Sequence, residues 1–491
     1  MIRLATMTLG LLFCIKEGHE KSIAVGLIFG KIFGYMEGSV PVLVISDLDV
    51  IQEIFVRKFD HFYARKLTNM LHGDMENSTE EPIVNLFVAR GSRWKRLRAL
   101  ASPVFTVNSL KKIHPTMEDS ILVMMNHLEQ NVNGQGINIH EYFQELTYDV
   151  ISRLAMGQPD SQLFNNPGIQ VTKAVFMRTH RVLPWYLAVA FPKYQFQIKK
   201  LFINHENVRG GDIGQIFMFC AKSVMSRLQE RVSCFARTNG MGVFQAENAK
   251  LGVENTERDF IDMFLNFYSE TAVEDTEFGT AIEKKVNAED VIGACFVFLL
   301  AGFDTTANAL AYAAFLLARH PEKMRLAQEE IEKCCLSESI SYDDTTKLKY
   351  LDSVVKEALR LYPIGWFACS RECVASTDVG GIRIEKGTMI EVDVMAVHRS
   401  KEIWGDDADD FNPERWLNPK PRHTMSWIPF GAGNRQCVGL KLGMSEAKTT
   451  LAHLLRKYNI RTGPDTEEKL QLLGCTTTSP KSVTIYLEPR F

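Results

Sequence analysis

Cys437 stands in the stretch PFGAGNRQCVGL (429–440), with glycines at 431, 433 and 439 and Arg435 two residues ahead of it. The run behind it, GLKLGMSEAKTTLAHLLRKY, repeats apolar residues at helical spacing, so the thiol is expected at or just before a helix N-terminus. The positive helix end, its free N–H groups and Arg435 all favour thiolate over thiol. Glycines let the backbone turn tightly and let something flat approach, and a soft thiolate in that setting suits iron. Two rival chemistries fit less well. A phosphate-binding loop would need glycine where Gln436 stands, and the preceding MSWIPF ends in proline rather than in a clean strand. A cysteine nucleophile needs a histidine, and none lies close in sequence. The other cysteines lack zinc spacing: Cys334 and Cys335 are adjacent, and three residues separate Cys369 from Cys373. They read as reduced intracellular thiols.

A second group of reactive residues interrupts the apolar run VIGACFVFLLAGFDTTANALAYAAFLL (291–317), whose single charge is Asp304. Composition permits a membrane span or a core helix that starts near Ala288. In the second reading, the hydroxyl of Thr305 or Thr306 can bond back to a carbonyl one turn earlier and, with Gly302, bend or open the helix there. An acid followed by a hydroxyl could then relay protons into a dry site. Glu357 and Arg360 in KEALRLYP lie on one helix face, either as a solvated pair or, with Arg415 of NPERW, as a buried triad that locks one geometry.

The elements that must carry these groups are mostly helical. SVPVLVIS (39–46) reads as a strand leading into a helix that opens with Asp47, and GGIRIEKGTMIEVDV (380–394) and SVTIYLE (482–488) read as extended. Residues 204–257 look irregular and are expected to hold loops between helices. With 491 residues, 46% of them hydrophobic, and no long linker, one large domain over 35–491 is expected. Residues 1–34 form an atypical segment: the apolar run LATMTLGLLFCI is too short to span a bilayer, and Lys31 breaks the next. The 56 Lys plus Arg against 59 Asp plus Glu give a net charge of −3, and nothing in that balance calls for nucleic acid.

Phe430, Gly433, Arg435, Cys437 and Gly439 match the haem-binding signature of the cytochrome P450 haem-thiolate monooxygenases. AGFDTT (301–306), EALR (357–360), PERW (413–416) and the cysteine loop follow in that family's order, and the chain from about residue 35 onward resembles its animal microsomal branch of broad-specificity drug and steroid hydroxylases. The resemblance implies a mainly α fold with small β-sheets and a long central helix. It makes Cys437 the axial ligand of haem b, Trp94, Arg98, Arg371 and Arg435 its propionate partners, and Asp304 and Thr305 the proton-delivering pair toward O2. Glu357, Arg360 and Arg415 become the structural triad, with Trp416 a conservative replacement of the usual Phe. Phe298, Ala301, Phe303, Ile364, Trp366 and Phe367 could line an apolar substrate pocket or could be plain core. The resemblance further implies electrons from an NADPH-cytochrome reductase, cytochrome b5 as a second donor, and a place on the cytosolic face of the endoplasmic reticulum membrane. The usual full membrane helix and proline-rich hinge do not appear before Gly38, which puts that attachment in question and points to an altered start. A haem-thiolate isomerase or dehydratase and a non-catalytic haem carrier are the alternatives, and the Asp304–Thr305 pair argues against both.

Overall fold

The computed structural model describes residues 4–5, 30–66, 84–177, 182–191, 194–202, 204–205, 213–238, 259–266, 273–275, 280–282, 288–418, 420–474 and 477–490. Most of the two N-terminal apolar runs therefore lies outside the described residues. The larger sheet contains β1 (Leu4–Ala5), β2 (Ile32–Glu37), β3 (Val40–Ile45), β4 (Ser370–Glu372) and β5 (Met389–Val392), in the spatial order β1-β2-β3-β5-β4. A two-residue turn with Gly38 at φ 63° joins β2 to β3, the left-handed geometry such hairpins need. β3 runs parallel to β5, which in turn pairs antiparallel with β4. This pairing ties the beginning of the chain to the strand that carries Arg371. Asp47 caps the short helix Leu48–Gln52 through the N–H groups of Asp49 and Val50.

The helices that position the site are α1 (Gly91–Ala101), α2 (Val107–Asn131), α3 (Ile139–Met156), α4 (Ala288–Arg319), α5 (Lys349–Leu361) and α6 (Leu440–Lys457). α4 has the length and apolarity of a membrane span, and it is the only such helix among the described residues. Its surroundings decide for the core reading. α3, α5, α6 and Ile213–Thr238 pack around it, and Leu299, Phe303, Ala307, Leu310, Ala311 and Tyr312 are fully buried. α4 is helical throughout, so the expected weak point does not break it. A smaller sheet of Ile137–Asn138, Tyr458–Arg461 and Thr484–Pro489 closes the helical side.

One sequence expectation fails here. Residues 204–257 are expected to hold loops between helices, yet about half of the stretch, Ile213–Thr238, is a single helix of 26 residues, with 206–212 and 239–257 outside the described residues. Ile216, Cys220 and Val224 repeat at intervals of four and are buried. The glycine pair at 210–211 and the exposed apolar residues Met218, Phe219 and Met225 beside that stripe obscure its period in the sequence.

Candidate haem-thiolate site

The cysteine loop is closed by its own backbone. The amide of Cys437 donates to the carbonyl of Phe430 at 2.9 Å, and that of Gln436 donates to Gly433 at 2.9 Å. Gly431 and Gly433 have φ of 70° and 65°, where a side chain would be strained. A Cβ on Gly433 would also collide with the carbonyl of Phe55, whereas Gly431 faces open space. Gly439 differs from the expectation: its φ is −85° and a Cβ there would make only ordinary contact with Phe105, so it serves as the N-cap of α6 without needing to be glycine.

Cys437 lies three residues before the start of α6. Burial pushes its thiol pKa up, while the N–H groups of Gly439 and Leu440 and the charges of Arg98 and Arg65 pull it down. The thiol retains exposed surface although protein surrounds it on most sides, which puts it on the wall of an internal cleft. The N–H groups act as the helix-end argument requires, but the cations beside the thiol differ from the expected one. Arg435 turns away: its guanidinium donates to the carbonyls of Tyr63 (2.9 Å) and Ala89 (2.6 Å) and stacks 4.4 Å above the Trp94 ring. Arg65, which belongs to no recognisable motif, takes its place.

Arg65, Arg98, Arg371 and Arg435 form one cluster, and no carboxylate pairs with any of them among the described residues. The neighbouring Arg90 has Glu372 at 2.6 Å. Burial lowers the pKa of Arg65 to about 10 and that of Arg371 to about 9, and mutual repulsion adds to the burial effect in both. Arg371 reaches the carbonyls of Ser370 (2.7 Å) and Ala432 (3.4 Å), but its Nε is buried without a partner, as is the Nε of Arg65. Buried cations are costly without an anion. A flat ligand bearing two carboxylates, with a metal centre facing Cys437, fits both the unpaired charge and the cleft. Haem is such a ligand, and Trp94 and Arg98, one turn apart on α1, would stand at its edge.

On α4, consecutive side chains diverge by about 100°, and Asp304 and Thr305 accordingly serve different surroundings. The Thr305 hydroxyl donates to the carbonyl of Ala301 at 2.6 Å, and Ala301 is exposed. Asp304 is only 2% exposed, and its carboxylate accepts from Thr477 Oγ1 (2.5 Å) and Asn308 Nδ2 (2.8 Å). Burial raises its pKa to about 6 against those two bonds. Asn308 Oδ1 contacts His140 Nε2 at 2.9 Å and accepts from Ser479 at 3.0 Å, extending the polar chain into the core.

The triad residues converge fully. Arg360 forks onto Glu357 with two bonds of 2.9 Å, and Arg415 Nε reaches the same carboxylate at 2.8 Å. Glu357 and Arg360 have no exposed surface. Arg360 also donates to the carbonyls of His398, Ala408 and Asp410, which pins the meander leading to the cysteine loop. Trp416 is not a conservative stand-in, because its indole Nε1 donates to Glu357 Oε2 at 2.9 Å, a bond phenylalanine cannot make.

The pocket candidates separate. Phe298 packs against Phe105, Phe260 and Phe264, and Phe303 against Tyr148 and Phe176, so both belong to the aromatic core. Ile364 is buried, Trp366 is exposed, and Phe367 meets Phe87 at 5.5 Å beside Arg65.

The family model described as cytochrome P450 matches residues 8–485. The Caenorhabditis elegans protein named cytochrome P450 cyp-13B1 is 64% identical over 462 residues, covering 94% of this chain and 88% of its own. Two further proteins of that organism, named cytochrome P450 CYP13A10 and CYP13A1, are each 41% identical, with the same 94% and 88% covered. Mainly helical, with a loop-borne thiol under a helix N-terminus and a family match along nearly its whole length, the chain belongs to the cytochrome P450 family of haem-thiolate monooxygenases, which use haem and O2.

Proposed function

We propose that residues 35–491 form a single catalytic domain that holds haem b through Cys437 and inserts one oxygen atom from O2 into an apolar small molecule of the xenobiotic, steroid or fatty-acid-like kind. The observation that carries this is the set of four arginines, none with a carboxylate partner among the described residues, gathered beside the exposed Cys437. Arg65, Arg98, Arg371 and Arg435 would neutralise and orient the haem carboxylates, with Trp94, Phe430 and Gly433 shaping the loop and edge around the ring. When bound, haem would supply the activation of O2, and the Cys437 thiolate would donate electron density to it.

The chain's own residues supply the rest. The N–H groups of Gly439 and Leu440 and the charges of Arg98 and Arg65 favour the thiolate of Cys437 against the larger effect of burial, which leaves its pKa raised overall; its ionisation would be completed with iron bound. Thr305 offers a hydroxyl beside the exposed Ala301, and Asp304, its pKa raised to about 6, would exchange a proton through Thr477 and Asn308 on the other face of the helix. Ala301, Ile364, Trp366 and Phe367 would present an apolar wall to the substrate and exclude water from it, with Phe298 as their backing. Glu357, Arg360 and Arg415 keep the loop rigid beneath.

Electrons would come from an NADPH-dependent reductase, with cytochrome b5 as a second donor, on the cytosolic face of the endoplasmic reticulum. Attachment to a membrane surface is supported by Leu183, Phe191, Tyr194, Leu201 and Met218, all more than half exposed on neighbouring segments. The test is the carbon-monoxide difference spectrum of the reduced, haem-loaded chain beside Cys437→Ala, followed by turnover of apolar substrates with reductase and NADPH. A strongly red-shifted Soret band that the variant loses is expected. A band that survives the substitution would overturn the ligand assignment.

A further inference from the structure

Three tryptophans lie in a row on the meander before the cysteine loop. The Trp404 and Trp416 ring centroids are 5.4 Å apart, Trp416 and Trp427 are 5.3 Å apart, and Trp427 lies 6.0 Å from Phe430. The carbonyl of Phe430 accepts the amide of Cys437 at 2.9 Å, so the aromatic row is joined to the ligand residue by one residue's backbone and one hydrogen bond. Packing explains contacts between neighbours, but it does not explain why four rings spread over residues 404–430 touch in an unbroken series. Indole is among the side chains most easily oxidised by one electron, and rings this close exchange electrons readily.

Their electrostatic settings differ in a way that gives the row a direction. Trp404 is 4% exposed and faces three cations, with the guanidinium carbons of Arg422, Arg360 and Arg415 at 4.7, 5.0 and 5.9 Å from its ring centre. Those charges stabilise its electron-rich ring and oppose loss of an electron from it. Trp416 differs in that its indole N–H donates to the Glu357 carboxylate at 2.9 Å, a bond that strengthens as the ring becomes positive, although Arg360 and Arg415 share that carboxylate. Trp427 donates to the Lys356 carbonyl at 3.3 Å. Trp416 and Trp427 are both half-buried, and so within reach of a reductant in solution.

We propose that Trp427 and Trp416 form a discharge path for oxidising equivalents that arise at Cys437 without substrate, and that the electron deficiency settles on Trp416. The inference rests on the reading of Cys437 as the haem ligand. With hydrogen peroxide as oxidant, one peroxide is reduced to two waters by two electrons and two protons. The electrons leave the indole row one at a time, Trp427 first and Trp416 refilling it. A thiol-class reductant outside restores the row, two thiols giving one disulfide with release of two electrons and two protons. The Trp416 indole N–H keeps its hydrogen bond to the Glu357 carboxylate while the ring is oxidised.

The experiment mixes the haem-loaded full chain with hydrogen peroxide in the absence of substrate, freezes it within the turnover time and records its electron paramagnetic resonance spectrum, with and without ring-deuterated tryptophan. The expected signal is a tryptophan radical that narrows on deuteration, is lost in Trp416→Phe and in Trp427→Phe, and persists in Trp404→Phe. Peptide mass mapping should then find added oxygen at Trp416 before any other residue. Should Trp416→Phe fail to take up haem, incorporation of fluorotryptophan, which keeps the ring and its N–H but is harder to oxidise, should lower the signal. A tyrosyl radical, a signal insensitive to deuteration, or one that survives Trp416→Phe would overturn the proposal, provided the carbon-monoxide spectrum shows thiolate-bound haem. Loss of that spectrum would instead count against the ligand assignment.

Discussion

Glu446 lies in α6 at 4% exposure, and its Oε1 has no hydrogen-bond partner among the described residues. Burial alone raises its pKa to about 8. The folded protein therefore holds this proton at neutral pH, whereas the unfolded chain releases it near the ordinary value of 4.5. Between those values the folded state binds more protons, so stability falls as pH rises, by about 1.4 kcal/mol per pH unit, and levels off above the folded pKa. Other shifted groups act lower: Asp304 titrates at about 6, His140 at about 4 and His398 at about 3. The histidines lose stability as pH falls below their unfolded value, so of these groups Glu446 alone is losing its proton between pH 6.5 and 8. Over that interval the loss is about 2 kcal/mol, which for a chain of this length is about 2 °C in Tm. Glu446→Gln keeps the shape and removes the titration. The Tm of the haem-loaded protein should fall across this interval in the wild type and stay level in the variant. Equal slopes in the two proteins would refute the reasoning, because the carboxyl would then have to be ionised in the fold through a route to water or a cation.

Asp304 contributes with the same sign at lower pH: its folded pKa of about 6 against 3.8 takes away about 3 kcal/mol in total as pH rises through 6, while His140 and His398 act in the opposite direction over the same range, so Asp304→Asn should make stability rise more steeply with pH in a urea-unfolding series between pH 4 and 6. Arg360→Met should cost about 3–5 kcal/mol, because it leaves buried Glu357 with one guanidinium and strips three carbonyls of their donor; equilibrium denaturation measures it, and a cost below that of an exposed pair would mean that the meander is pinned elsewhere. Arg98→Leu together with Arg371→Met should speed haem transfer to an excess of apomyoglobin while easing repulsion within the empty cluster. Gly433→Ala should abolish haem uptake, read from the Soret band, since it adds both a left-handed strain and a clash with the Phe55 carbonyl.

What the sequence makes legible is what periodicity and short motifs encode. The central helix begins at Ala288, where the apolar run suggests, and the strand–Asp47–helix junction is capped as its residues imply. The 26-residue helix from Ile213 is not legible, because its buried stripe follows a glycine pair and sits beside exposed apolar residues that obscure its period. The split between Asp304 and Thr305 is equally invisible: adjacent letters suggest one relay, while helix geometry sends one side chain to Thr477 and the other to the Ala301 carbonyl.

Charge is the hardest thing to place from a linear chain, and the arginines show why. Arg435 is two residues from Cys437, yet carbonyls from residues 63 to 89 take up its fork, because a guanidinium with five donors goes where acceptors are fixed. Arg65 is 372 residues from Cys437, and it reaches the thiol because the residues after the short helices 48–61 cross the cysteine loop, where its Nη2 donates to the Arg435 carbonyl at 3.2 Å. Trp416 makes the same point in reverse. A motif comparison counts it as a change of one aromatic for another, but the loop that turns at Pro413 brings its N–H to the one buried carboxylate shared by Arg360 and Arg415. The substitution therefore adds a fourth side-chain bond to Glu357 and, with Trp404 and Trp427 on either side, converts a packing position into the middle of an oxidisable row.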